Sequence, residues 1–207
     1  RFCQALMIEL YRHLGPNTDI PAGDIGVGGR EVGYMAGMMK KLSNDTGSVF
    51  TGKGMSFGGS LMRPEATGYG CVYFAEQMLQ ARGLDFNHKT VSISGSGNVA
   101  QFAAEKAIEL GAKVVTFSDS EGTLYAKDGF SEDVLKLIMQ HKNVKRGRLS
   151  ELANQAGFEF KAGVRPWSIP VDIALPCATQ NELDKADAEI LVKNGVLYGS
   201  KLLEAAS

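Results

Sequence analysis

The chain has 207 residues, of which 44% are hydrophobic and 22% charged, a composition typical of a globular protein with a buried core. Its 22 basic and 23 acidic side chains leave a net charge of −1, which gives no electrostatic footprint for nucleic acid or an anionic membrane. No apolar run is long enough to cross a bilayer, and the first residues lack a signal-peptide pattern. The three cysteines and three histidines are scattered, so we expect reduced thiols, a cytoplasmic protein and no metal site.

Residues 1–57 predict two helices joined by a glycine-rich loop. Phe2, Leu6, Leu10 and Leu14 fall on one apolar stripe of a first helix, which the Gly15-Pro pair should end. Neither a cap nor an initiator methionine precedes this helix, so we expect the chain to begin inside a longer protein. A second helix is predicted over residues 31–42.

Residues 58–207 alternate between helix and strand patterns. Helices are predicted over 65–81, 98–110 and 184–193, and Ser131 is placed to cap another. Strands are predicted over 91–94, 113–118 and 171–175. Strand, helix and strand at this spacing indicate an α/β fold with a Rossmann-like parallel sheet. We therefore predict a domain boundary near residues 56–59, with 1–57 and 58–207 as the two domains.

The strongest single motif is Gly95-Ser96-Gly97-Asn98-Val99-Ala100, which follows a predicted strand and opens a predicted helix. It fits the dinucleotide fingerprint: the first glycine allows a tight turn and the second lets the backbone approach a pyrophosphate. The helix N-terminus then offers free N–H groups to the phosphates. We predict that residues 95–99 bind a dinucleotide cofactor.

The identity of the dinucleotide stays open on these patterns alone. Asp119 ends the next predicted strand, 24 positions after Gly95, where a carboxylate binds the ribose hydroxyls of NAD and repels the extra phosphate of NADP. Ser118 and Ser120 flank it, however, and their hydroxyls can donate to a phosphate.

Two further loops offer alternative chemistry. The stretch from Gly47 to Gly54 nearly fits a phosphate loop of nucleoside triphosphatases, but Gly54 stands where a hydroxyl must hold magnesium. Asp24 lies in a glycine-rich loop, where an aspartate is commonly a turn residue and can alternatively shuttle a proton.

Four blocks of the chain resemble the NADP-linked glutamate dehydrogenases of bacteria and lower eukaryotes. They are PAGDIGVGGREVGYMAG, FTGKGMSFGGSLMRPEATGYG, SGSGNVAQFAAEKAIELGAKVV and PVDIALPCATQNELD. The resemblance runs from Arg1 to about Val196. It implies a homohexamer that interconverts glutamate with 2-oxoglutarate and ammonium, using NADP(H), in a cleft between a substrate domain and a dinucleotide domain.

The resemblance also implies residue roles. Asp24 matches the catalytic aspartate that moves protons to and from the amino group, and Gly23 matches a backbone position that touches substrate. Thr67 and Asn98 match cofactor contacts, and Ala178 and Asn181 are expected to border the nicotinamide ribose. Ser118, Asp119 and Ser120 resemble the NADP-using branch. For NADP to bind there, the Asp119 carboxylate must point away from the phosphate or be offset by a cation, which we expect from a part of the substrate domain outside this chain.

Two departures from the family pattern carry expectations of their own. The lysines that bind the substrate carboxylates lie upstream in the family and are not in this chain. After Val196 the sequence leaves the family pattern, so we expect the last strands of the dinucleotide domain to be missing. The chain alone is therefore expected to be inactive, and a non-catalytic dinucleotide-binding fragment is the alternative function.

Overall fold

A computed structural model describes residues 1–45, 47, 49–156 and 158–199, with only the backbone described at 154–156 and 198–199. The chain divides into two compact units, Arg1–Arg63 and Pro64–Ser207.

The described residues of the first unit form two helices and two short 3₁₀ turns. They are α1 (Phe2–Leu10), a turn at Tyr11–His13, α2 (Gly29–Ser43) and a turn at Met55–Phe57. Its core is formed by Met7, Val32, Ala36, Met39 and Phe50.

The predicted apolar stripe of the first helix is wrong. Phe2 is 80% exposed, whereas Met7 on another side of α1 is fully buried. The helix gives way to a 3₁₀ turn after Leu10, so Leu14 lies in extended backbone and does not continue the helical register. The α2 prediction is confirmed, with Val32 and Ala36 buried.

The second unit is an α/β domain. Its elements in chain order are α3 (Ala66–Gln80), β1 (Thr90–Ile93), α4 (Asn98–Glu109), β2 (Lys113–Val114), β3 (Thr116–Asp119), β4 (Gly122–Tyr125), α5 (Glu132–Gln140), a π-helical segment (His141–Lys145), α6 (Leu149–Ala156), β5 (Glu159–Ala162), a 3₁₀ turn (Pro166–Ser168), β6 (Ile173–Leu175), α7 (Lys185–Lys193) and β7 (Tyr198–Gly199).

Four of the strands form a parallel sheet in the order β2-β1-β6-β7. Strand β1 is buried because α3 and α4 supply apolar residues such as Val72 and Ala103 to the same core. The predicted α/β fold with a Rossmann-like parallel sheet is confirmed. The predicted cap at Ser131 is also confirmed, since its hydroxyl accepts the N–H of Val134 in α5. The structure shows a further cap at Asp184, whose carboxylate accepts the N–H of Asp187 in α7.

The strand predicted over residues 113–118 is two strands in two different sheets. β2 pairs with β1, and after Val115 the chain continues as β3, which joins β4 and β5 in an antiparallel sheet in the order β3-β4-β5. A further strand, β7, follows Val196 and pairs parallel with β6. The expectation that the strands after Val196 are missing is therefore wrong for Tyr198–Gly199, and residues 200–207 lie outside the described part of the chain.

Candidate functional site

The loop after β1 turns sharply at Gly95 and is held from both sides. The backbone N–H of Gly95 donates to Ser118 Oγ at 2.9 Å, and the N–H of Ser118 donates back to the Gly95 carbonyl at 3.0 Å. Gly95 has a φ of +79°, and a Cβ there would lie 2.8 Å from the Cys177 carbonyl oxygen. Only glycine fits this position, because both the dihedral angle and the space exclude a side chain.

Gly97 has a different environment. It is the N-cap of α4 with a φ of −86° and makes no side-chain cap, and a Cβ built on it would meet nothing within 4 Å. Gly97 and Asn98 are both exposed. The first N–H groups of a helix have no intrahelical acceptor, so this uncapped end presents donors to open space. A pyrophosphate fits here, since anions bind at helix N-termini.

The sheet order places this loop at a topological switch point. The connection from β1 through α4 leads to β2 on one side of β1, whereas β6 lies on the other side. Ligands of open α/β sheets bind outside the carboxyl ends of the strands at such a point, which here means the loops that follow β1 and β6.

The loop after β6 is tied to the loop after β1. The N–H of Cys177 donates to Ser94 Oγ at 2.8 Å, and the N–H of Ala178 donates to Glu182 Oε1 at 3.0 Å. Burial raises the pKa of Glu182, and hydrogen bonds from the Ser94 hydroxyl and from backbone N–H groups oppose this rise. Asn181 in this loop is exposed and has a left-handed φ of 55°. Residues 95–98 and 178–181 therefore border the same edge of the sheet.

Asp119 is engaged by the protein itself. Its Oδ2 accepts the N–H of Leu149 at the start of α6 at 3.0 Å, and its Oδ1 accepts the N–H of Glu121 at 2.9 Å. Lys142 Nζ lies 3.6 Å from the same Oδ2, and the Asp119 side chain is only 7% exposed. Its two oxygens already accept hydrogen bonds from α6 and from the turn after β3, so this carboxylate is poorly suited to binding a ribose.

Basic side chains lie beside the flanking serines. Arg148 donates to Ser120 Oγ at 2.8 Å and also lies 3.6 Å from the Glu121 carboxylate. The hydroxyls of Ser118 and Ser120 each accept one hydrogen bond here and retain their own proton to donate. Lys142 and Arg148 belong to the same unit as Asp119, so this chain supplies cations of its own here, and a further cation from outside the chain stays a prediction.

The segment that supplies these cations was not identified as functional from the sequence. It runs from His141 to Arg148 and is stabilised internally, since the buried His141 Nε2 lies 2.9 Å from the Arg148 carbonyl and Lys142 donates to the Gly147 carbonyl at 3.0 Å. Four basic residues within eight positions, HKNVKRGR, were the available signal. Its proximity to the end of β3 depends on the tertiary fold and is not encoded in local spacing.

Thr67 lies exposed in the first turn of α3, beside the site. The neighbouring Gly68 packs against α4 so closely that a Cβ on it would lie 2.7 Å from both the Val99 carbonyl oxygen and the Ala103 nitrogen. This contact brings the start of α3 next to the first turn of α4.

Asp24 and Gly23 belong to the first unit. Asp24 is exposed, and its carbonyl accepts the N–H of Val27 in a tight turn at 2.8 Å, while its carboxylate makes no hydrogen bond to any other residue in the described part of the chain. A Cβ on Gly23 would lie 2.9 Å from the Val27 carbonyl oxygen, so glycine is needed to close this turn. The turn therefore presents an exposed carboxylate.

The alternative phosphate loop at residues 47–54 has no support in the residues described there, which exclude Ser48. Lys53 Nζ donates to the Phe50 carbonyl at 2.6 Å, and a 3₁₀ turn at Met55–Phe57 follows in place of the long helix that a phosphate loop opens.

The fold, the switch point and the open end of α4 define a dinucleotide-binding α/β protein. The chain belongs to the Glu/Leu/Phe/Val dehydrogenase family, because the model of that family matches residues 58–206 and the model of its dimerisation domain matches residues 1–41. The family model extends through residue 206, whereas the resemblance was expected to run to about Val196.

Individual relatives agree on the dehydrogenase and differ in cofactor. The chain is 64% identical to an NADP-specific glutamate dehydrogenase of Haemophilus influenzae over 95% of its length and 44% of that protein. It is 57% identical to an NAD-specific glutamate dehydrogenase of Bacteroides fragilis over 95% of its length and 44% of that protein. A crystal structure of glutamate dehydrogenase from Plasmodium falciparum aligns with a TM-score of 0.83 at 46% identity, covering 94% of this chain and 42% of that one.

The chain thus spans less than half the length of the relatives that it matches. Among the residues described in the two units, no helix is long and apolar enough to cross a membrane.

Proposed function

We propose that this chain carries the cofactor-binding unit and the proton-transfer loop of a glutamate dehydrogenase that uses NADP(H). The reaction is the reversible oxidative deamination of glutamate to 2-oxoglutarate and ammonium. Membership of the dehydrogenase family supports the proposal. The observation that carries the cofactor assignment is the open, uncapped N-terminus of α4 beside a pair of serines and two cations.

Each predicted cofactor residue has a task that its position supports. Gly95 and Ser96 form the turn, while Gly97, Asn98 and Val99 offer backbone N–H groups to the pyrophosphate. Thr67 and Asn181 flank this end of the sheet and orient the nicotinamide half. When bound, the nicotinamide supplies the hydride chemistry of the reaction.

The preference for NADP over NAD rests on charge and hydrogen bonding. The Asp119 carboxylate is occupied by two backbone N–H groups and by Lys142, so it does not repel a 2′-phosphate as a free carboxylate would. Ser118 and Ser120 donate their hydroxyl protons, and Lys142 and Arg148 supply positive charge. Because relatives above 55% identity include an NAD-specific enzyme, this local geometry carries more weight than overall similarity.

Asp24 is the proposed proton-transfer residue. Its exposed carboxylate has no hydrogen bond to another described side chain, so it can accept a proton from the substrate amino group and return it. Gly23 is the proposed substrate contact, through its backbone, and the absence of a side chain there lets the turn that carries Asp24 close against the Val27 carbonyl.

The domain assignment and the assembly belong to the same proposal. Residues 1–57 form part of the substrate domain and residues 58–207 form the dinucleotide domain. The family model over residues 1–41 describes a dimerisation domain, which supports an oligomer. A cytoplasmic homohexamer is the assembly that we propose.

The activity is tested in an enzyme of the relatives' full length that contains these residues. NADPH absorbance is followed with 2-oxoglutarate and ammonium, and NADPH affinity is measured in parallel. Asp24→Asn keeps the size of the side chain but cannot accept a proton, so turnover should fall by about a hundredfold or more while NADPH affinity stays unchanged.

Asp19→Asn is the matched control, since Asp19 is also exposed and lies in the same unit. It should leave turnover unchanged. If Asp24→Asn retained about a tenth of the rate or more, Asp24 would be a turn residue and its assignment wrong.

A further inference from the structure

Two side-chain amides connect the loop after β1 (residues 95–97, called the phosphate loop below) to residues 141–148, called the basic segment. Gln101 Nε2 donates to the Ser96 carbonyl at 2.8 Å and to Asn143 Oδ1 at 3.1 Å, and Asn143 Nδ2 donates back to Gln101 Oε1 at 2.9 Å. Gln101 lies in the first turn of α4 and is only 1% exposed. Asn143 lies in the π-helical segment, next to Lys142.

The opposite side of the site is closed by a second set of contacts. Gly95 is bonded to Ser118 on β3, and the next residue, Asp119, is bonded to Leu149 and lies near Lys142. The phosphate loop, the end of β3, the basic segment and the amide pair thus form a closed ring of polar contacts.

Two sets of contacts in this ring act on different parts of a dinucleotide. The contacts at Gly95 and Ser96 fix the loop that faces the pyrophosphate, and the contacts at Asn143 fix the segment that carries Lys142. A π-helical segment has a wider backbone turn than an α-helix, and such segments recur at functional sites. The reciprocal amide bonds fix its position relative to α4, because a buried amide whose partner moves is left unsatisfied.

We propose that Gln101 and Asn143 are positioning residues for cofactor selectivity. They fix the position of the basic segment relative to the phosphate loop, so that the pyrophosphate and the 2′-phosphate of NADP are bound at the same time. This inference rests on the proposed NADP function. Neither amide contacts the cofactor in this role; both act through Ser96 and Lys142.

The test measures the affinities of the purified chain for NADPH and NADH from the fluorescence of the reduced nicotinamide. Asn143→Ala should lower NADPH affinity by about fivefold, the factor that corresponds to one typical hydrogen bond. NADH affinity should change by less than about twofold, because NADH has no 2′-phosphate to lose. A loss of general stability would lower both affinities alike, so the ratio separates positioning from folding.

Matched variants sharpen the comparison. Val144→Ala changes the next residue, which is 74% exposed, and should leave the ratio unchanged. Lys142→Ala should remove most of the NADPH preference, and adding Asn143→Ala to it should then have little further effect, since the amide acts through Lys142.

A second variant guards against misfolding of the first. Gln101→Met keeps the length and buried volume of the side chain but removes its amide, and it should also lower the NADPH-to-NADH affinity ratio. Circular dichroism establishes which variant is folded, and either one decides the question. An unchanged ratio in a folded variant would overturn the positioning role. If the unmodified chain bound NADPH no more tightly than NADH, the NADP assignment itself would fail instead.

Discussion

Adding one methyl group at each of two neighbouring glycines separates the structural role of the fingerprint loop from its binding role. Gly95→Ala and Gly97→Ala are the same chemical change two positions apart. Gly95 has a left-handed φ of +79° and its Cβ would lie 2.8 Å from the Cys177 carbonyl oxygen. Gly97 has an extended φ of −86° and open space around a Cβ.

The structure gives different magnitudes for the two variants. A non-glycine residue in the left-handed region costs about 1–2 kcal/mol, and the steric overlap adds about 1–3 kcal/mol. We therefore expect Gly95→Ala to lower the melting temperature by roughly 5–15 °C. Gly97→Ala should cost about 0.5 kcal/mol, the loss of glycine at an N-cap, and lower the melting temperature by less than about 3 °C.

Although Gly97→Ala should barely change the melting temperature, it should weaken the binding of NADPH. The methyl group of Gly97→Ala occupies the space that the pyrophosphate needs, and losing one hydrogen bond to a charged group lowers affinity by about tenfold or more. Thermal unfolding by circular dichroism and NADPH titration of the folded chain measure both quantities. Full NADPH affinity in a stable Gly97→Ala variant would refute the placement of the pyrophosphate at this helix end.

Three further predictions test other contacts. Asp119→Asn should lower the free energy of unfolding by about 2 kcal/mol in chemical denaturation, because the two N–H groups of Leu149 and Glu121 bond to different carboxylate oxygens and an amide has only one oxygen. Unchanged stability with a loss of NADH affinity would instead make Asp119 a ribose ligand. Gly68→Ala should lower it by about 3 kcal/mol in the same assay, since its Cβ would lie 2.7 Å from backbone atoms of α4, and a change below about 1 kcal/mol would contradict that packing. The hydrogen bond from the Tyr69 hydroxyl to Glu105 raises the pKa of Tyr69 from 10.0 to about 12, so the stabilisation from this bond is complete below pH 10 and is lost as the pH rises to about 12. The difference in tyrosinate absorbance between the chain and Tyr69→Phe should have its midpoint near that pH, and a midpoint near pH 10 would be inconsistent with the bond.

Patterns with a strong local cause were predictable from the sequence. The helix α4 and its loop follow from a glycine fingerprint after a β-branched strand, and α7 ends as predicted, with Gly195 just beyond it. These signals act within a few residues, where capping and dihedral preferences decide the conformation. The parallel sheet followed from the alternation of such segments.

Features set by tertiary contacts were not predictable. Residues 113–118 carry the strand-forming sequence KVVTFS without a turn signal, yet the chain changes sheets at Val115 because β3 pairs with β4, which local periodicity does not encode. Met7 is buried in place of the predicted stripe because α1 packs against α2 on that side. The carboxylate of Asp119 is committed to Leu149, 30 residues away, and only the folded chain shows this.

The most direct test of the cofactor assignment is isothermal titration calorimetry of the purified chain with NADP⁺ and with NAD⁺ in the same buffer. We predict tighter binding of NADP⁺ by about tenfold or more, with the difference shrinking as salt rises, because the 2′-phosphate is held largely by the charges of Lys142 and Arg148. Equal binding of the two cofactors, or tighter binding of NAD⁺, would contradict it.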